Sequence, residues 1–111
     1  MIQLELSDFD ADRSLLALPG TSLVIFTSIG CAACRWVRLH LSGWGLPVQR
    51  LCWIDAADNG GLVQRYEVLG LPALFVVHNG QFHGALSAPL KPVELALALA
   101  AALQRPAEEL P

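Results

Sequence analysis

Cys31 and Cys34 stand two alanines apart in the stretch GCAAC, residues 30–34. A pair at this spacing binds a metal, closes a tight loop or exchanges electrons. A zinc ribbon needs a second C-x-x-C about 15 to 20 residues further on. Cys52 falls in that range, but Trp53, Ile54 and Asp55 follow it, so the second pair is missing. Covalent haem needs histidine directly after the motif, and residue 35 is Arg. Cys52 itself lies in a β-branched and aromatic run, which reads as the setting of a buried core thiol. These absences weigh against zinc and haem, so no metal and no cofactor are expected, and three cysteines point to redox or metal chemistry rather than a structural disulfide framework.

The other reactive side chains are poorly placed to help. His78 and His83 flank the turn at Asn79-Gly80, far along the chain direction from Pro72. At about 3.3 Å per strand residue, His78 lies some 20 Å from that proline. His40 is six residues beyond Cys34, about 9 Å up a helix. All three are expected on the surface. Trp36, Trp44, Trp53 and Tyr66 read as packing residues. Asp55 ends an apolar run near the cysteine edge and reads as a cap or loop residue.

The elements that must position the pair follow from periodicity. Residues 2–6 make a short strand, and Ser7 or Asp8 caps a helix over Phe9–Leu18 that Pro19-Gly20 ends. Leu23–Thr27 is a continuous apolar run and reads as a buried strand leading into the cysteines. Cys34, Val37 and Leu41 share one face of a helix over Ala32–Leu41, ended by Gly43 and Gly45. Val48–Asp55 is a second buried strand. A short helix over 59–67 is capped by Asp58 or Asn59. Ala73–Val77 and Gln81–Leu86 form a hairpin about Asn79-Gly80. A last helix opens with proline in its first turn, between Pro89 and Pro92, and runs to about Gln104. The order β α β α β α β β α predicts an α/β fold: a mixed central sheet with helices on both faces. The cysteines fall at a strand-to-helix junction, on the edge where such sheets carry their chemistry.

At this point the chain resembles the thioredoxin family over nearly its whole length, as a single domain spanning 1–111. The matching pieces are the strand running into C-x-x-C, the strand ending in WIDA, and YEVLGLPALFVVHNGQ, residues 66–81. The resemblance implies a thioredoxin fold and a thiol–disulfide oxidoreductase. It makes Cys31 the nucleophile, Cys34 the resolving thiol and Pro72 a cis-proline packed against them. It gives the backbone of Leu71, with Gly30, Ala32 and Ala33, to substrate binding. It also implies a disulfide-containing protein substrate, with thioredoxin reductase or the glutathione system as reductant. Two other readings follow from the same fold: a binding or chaperone-like adaptor, and a glutathione-dependent glutaredoxin-like enzyme. Some relatives share an iron–sulfur cluster between subunits, but no residue here singles that out.

The chain departs from the pattern in three places. Gly30 stands where the family commonly has Trp, and Ala32-Ala33 replace Gly-Pro. Ile25 and Leu51 stand where thioredoxins carry a buried Asp and a Lys. Without that acid, deprotonation of Cys34 is expected to limit turnover near neutral pH.

Composition bounds the partners. The 111 residues are 54% hydrophobic and carry a net charge of −3, with no basic run. Nucleic acid is not an expected partner. MIQLELSDFD lacks the basic start and long apolar stretch of a secretory signal. The longest apolar run, Val93–Leu103, is well short of the roughly 20 residues a membrane span needs. A cytoplasmic protein with no membrane partner is expected.

Overall fold

A computed structural model describes residues 1–111. Five strands, β1 (Ile2–Leu6), β2 (Thr21–Thr27), β3 (Arg50–Asp55), β4 (Ala73–His78) and β5 (Gln81–Leu86), form one sheet in the order β1-β3-β2-β4-β5. Both β1 and β2 run parallel to β3, whereas β4 is antiparallel to β2 and to β5. The four helices are α1 (Ala11–Ala17), α2 (Ala32–His40), α3 (Gly60–Arg65) and α4 (Pro92–Leu103).

Side-chain alternation splits the interior into two layers. Leu23, Ile25, Trp53 and Val76 point to one face, where Val37 of α2, Leu41 just beyond it, and Leu95 and Leu99 of α4 cover them. Val24, Phe26, Ile54 and Phe75 point to the other, against Leu15 of α1 and Leu62 of α3. Because β2 and β3 are covered on both faces, their apolar runs are continuous rather than alternating. No helix is long and apolar enough to cross a membrane.

The element order follows the sequence pattern, and the corrections lie in detail. The cysteine helix stops at His40 and tightens into a 3-10 turn over Leu41–Trp44, closed by Gly45 in the left-handed region (φ 61°). A Cβ is costly there, which is why glycine ends the turn. Asp8 does not cap α1. Its carboxylate accepts from the Leu62 and Gly61 backbone N–H groups, at 2.8 and 3.3 Å, and so caps α3 from a distant loop. Asn59 precedes α3 without capping it; its side chain instead accepts from the Asp8 N–H and donates to the Asp55 carbonyl.

His83 is buried rather than on the surface. Phe75 pairs with Ala85 but Val77 pairs with Phe82, so β5 carries one extra residue opposite β4. This bulge shifts the alternation, with Gly84 at φ 91°, and turns His83 inward. His78 is half-buried, its Nδ1 2.9 Å from Thr21 Oγ1, and His40 is exposed as expected.

Candidate active site

Sheet topology delivers three separate segments to one edge. Strands β2 and β3 are parallel, so Thr27 and Asp55 pair at their carboxyl ends. Strand β4 runs the other way, so its first residue, Ala73, pairs with Phe26. The loop carrying Leu71 and Pro72 therefore meets the loop carrying Cys31, although 40 residues separate them.

Cys31 is the N-cap of α2, with extended backbone (φ −97°, ψ 114°). Its Sγ accepts from the Cys34 N–H at 3.2 Å, using one of the donors that a helix start leaves unpaired. Cys31 is half-exposed, whereas Cys34 is 1% exposed. The two are disulfide-bonded, with Cα atoms 5.1 Å apart. Cys31 Sγ also lies 3.7 Å from the Leu71 carbonyl oxygen, and the Leu71–Pro72 peptide is cis as expected. Gly30, Ala32 and Ala33 are exposed around the sulfurs, while Leu71 and Pro72 are half-buried.

The surface beside the motif is apolar. Ile29 is 82% exposed and Leu69, on the loop leading to Pro72, is 100% exposed. Arg35 is folded back rather than extended into solvent: its guanidinium donates to the Ile29 carbonyl.

Behind the disulfide lies a cavity of about 180 Å³ onto which Cys34 opens. Glu5, Asp55, Arg35 and Arg38 line it. Arg38 forms an ion pair with Glu5 and lies over the Trp53 ring, 4.5 Å from its centroid. Asp55 Oδ1 accepts from the Ala57 N–H at 2.9 Å. Nothing in the sequence links Glu5 to Arg38, 33 positions apart. The one legible signal was Asp55 at the end of its strand.

The remaining candidates stay out of the site. Cys52 is fully buried in mid-β3, and burial pushes its thiol up to about 11, only partly offset by Ser22 and Arg50. Tyr66 is in the core, with burial pushing its phenol to about 12. Trp53 is core, its Nε1 donating to Gln3 Oε1 at 2.8 Å. Trp36 and Trp44 pack edge to face on the partly exposed outer side of α2 and the following turn. No three His, Cys, Asp or Glu side chains gather as a metal site.

A mixed sheet in this order, with C-x-x-C at the start of α2 and a cis-proline opposite, is the thioredoxin fold, and the chain is a thioredoxin-like protein in that structural sense. Among solved structures it is similar to the zinc-bound form of human ERp44, with a TM-score of 0.68 over 91% of this chain, at 16% sequence identity. The chain spans about 30% of that protein's length. No family model and no curated protein matches its sequence.

Proposed function

We propose that the protein is a thiol–disulfide oxidoreductase that reduces or exchanges disulfides in other proteins, and that it works in the cytoplasm. One observation carries the reading: the Cys31–Cys34 disulfide, with Cys31 half-exposed at a helix N-cap and Cys34 buried beneath it. A helix start stabilises negative charge, so the reduced Cys31 is favoured as thiolate and as the first nucleophile. Cys31 attacks a substrate disulfide, breaking it and releasing one substrate thiol. Cys34 then attacks Cys31 of the mixed disulfide, releasing the second thiol and closing the Cys31–Cys34 bond. The substrate gains two electrons and the dithiol loses two. Thioredoxin reductase or the glutathione system would restore the dithiol.

The exposed apolar side chains of Ile29 and Leu69 favour a protein substrate over glutathione, because they offer area that a polypeptide covers. The backbone of Leu71 beside Cys31 suits strand-like pairing with an extended segment. The same apolar surface also favours the adaptor reading, in which the cysteines latch a client without turnover. The test is steady reduction of a protein disulfide such as insulin by catalytic amounts of protein, with either reductant. Multiple turnovers that vanish in Cys31→Ser support the oxidoreductase. Stoichiometric capture without turnover supports the adaptor.

A further inference from the structure

We infer that Asp55 accepts the Cys34 proton, through water in the cavity behind the disulfide. This inference rests on the dithiol chemistry proposed above and assigns its missing base.

The need for a base comes from Cys34. It is 1% exposed, and burial disfavours a thiolate. Ile25, fully buried in the layer beneath α2, cannot take a proton. The cavity provides another route. Its roughly 180 Å³ compares with about 30 Å³ of liquid per water molecule, so it has room for bridging water. Its wall carries carboxylates from β1 and β3 and guanidiniums from α2. Water in such a cavity has the several polar partners it needs.

Two carboxylates reach the cavity, and their environments differ. Glu5 is engaged by the Arg38 guanidinium and is largely solvent-exposed. Asp55 is half-buried, and its hydrogen bond from the Ala57 N–H uses only Oδ1, leaving Oδ2 to accept. Register fixes Asp55 at the sheet edge: it pairs with Thr27, four residues before Cys31.

Charge accounting favours the same acceptor. Glu5 and Asp55 carry two negative charges, and Arg35 and Arg38 two positive ones. Moving a proton from Cys34 to Asp55 exchanges a carboxylate for a thiolate and leaves that balance unchanged. Losing the proton to bulk solvent instead adds an uncompensated charge beside a desolvated sulfur. In the resolving step the Cys34 S–H bond breaks as its proton passes to Asp55. The Cys34 thiolate forms the bond to Cys31 Sγ, and the bond from Cys31 to the substrate breaks. The substrate leaves as a thiolate and takes a proton from solvent. When a reductant reopens the disulfide, Asp55 returns the proton to Cys34.

The test uses 5,5′-dithiobis(2-nitrobenzoate), which needs no physiological client. The reduced protein releases a first nitrothiobenzoate when Cys31 attacks and a second when Cys34 resolves. Stopped-flow absorbance separates the two phases. Asp55→Asn keeps the acceptor for the Ala57 N–H, so the loop should hold. We expect the second phase to slow by about tenfold or more at pH 7, within the range of general-base effects, with the first phase unchanged. The difference should shrink as pH approaches 10, where hydroxide deprotonates Cys34 unaided. Asp55→Glu should restore part of the second-phase rate at pH 7. A second phase in Asp55→Asn equal to wild type, or slowed equally at every pH, overturns the assignment. Rapid second-phase release without insulin turnover would sink the oxidoreductase reading while leaving the proton route standing.

Discussion

Two thiol environments, one just past β2 and one within the neighbouring β3, have opposite fates. Cys31 lies just past the carboxyl end of β2, half-exposed, at the positive end of α2. Cys52 lies in the middle of β3, paired with Leu4 on one side and Val24 on the other, with no exposure. Both are cysteines next to apolar neighbours, so residue type does not separate them. Position along the strand does. A strand end opens onto a loop and a helix start, where unpaired N–H groups meet a sulfur. A mid-strand position is shut in by both layers, and burial, only partly offset by Ser22 and Arg50, lifts the thiol to about 11.

The contrast is broken most completely by removing the sulfurs in turn. Cys31→Ser should abolish protein-disulfide reduction, and Cys52→Ala should leave the rate unchanged, each measured by insulin turnover. Brief iodoacetamide treatment of the reduced protein at neutral pH, read by mass mapping, should label Cys31 first. Labelling of Cys52 ahead of Cys31 would reverse the comparison.

A second way is to put the absent acid back. Ile25→Asp buries a carboxylate among Leu23, Val37 and Trp53 and should cost about 3 kcal/mol or more of stability at pH 7. Its folded pKa is raised, so the loss relative to wild type should be smallest below the ordinary Asp range and grow as pH rises through the raised value. Urea midpoints of both proteins at pH 4 and pH 7 measure this.

The Cys52 thiol sharpens the comparison at alkaline pH. Its folded value of about 11 lies above the ordinary 9.0. The folded state then holds a proton that the unfolded chain has released, so stability is full below pH 9 and falls as pH rises through 11. Two units correspond to roughly 3 kcal/mol. Cys52→Ala should flatten this decline in denaturant melts between pH 8 and 11. Tyr66 titrates higher still, at about 12, and should leave its own decline in that variant.

The smallest effect concerns the loop that steadies the far helix. Asp8→Ala removes the acceptor for the Leu62 and Gly61 N–H groups and should cost about 1 kcal/mol, with no change in thiol reactivity. A fall in Cys31 labelling in this variant would show the two regions to be coupled.

The order of strands and helices and the place of the cysteine pair were legible because they depend on local signals. Continuous apolar runs marked β2 and β3, a three-and-four spacing marked α2, and Asn-Gly marked the hairpin. The chain therefore resembles thioredoxins in its sequence pattern alone. Features that join distant segments were not legible in this way. Asp8 looked like a cap for the helix that follows it, yet its carboxylate serves α3, more than 50 residues away. His83 looked like a surface residue, because an alternating strand hides the one-residue bulge that turns it inward.

The sequence by itself determined that the chain builds a mixed α/β sheet and sets two cysteines at a strand-to-helix junction. Strand periodicity, helix spacing and turn residues act within a few positions, so a linear reading captures them. The tertiary structure decided what surrounds those sulfurs. Parallel pairing of β2 with β3 carried Asp55 to the cysteine edge, and antiparallel pairing of β4 brought Leu71 against Cys31. Packing of α2 over β1 and β3 set the paired Arg38 and Glu5 around Cys34's cavity. Charge and solvent access at a thiol are sums over neighbours from separate strands, so they exist only once the sheet has chosen its order.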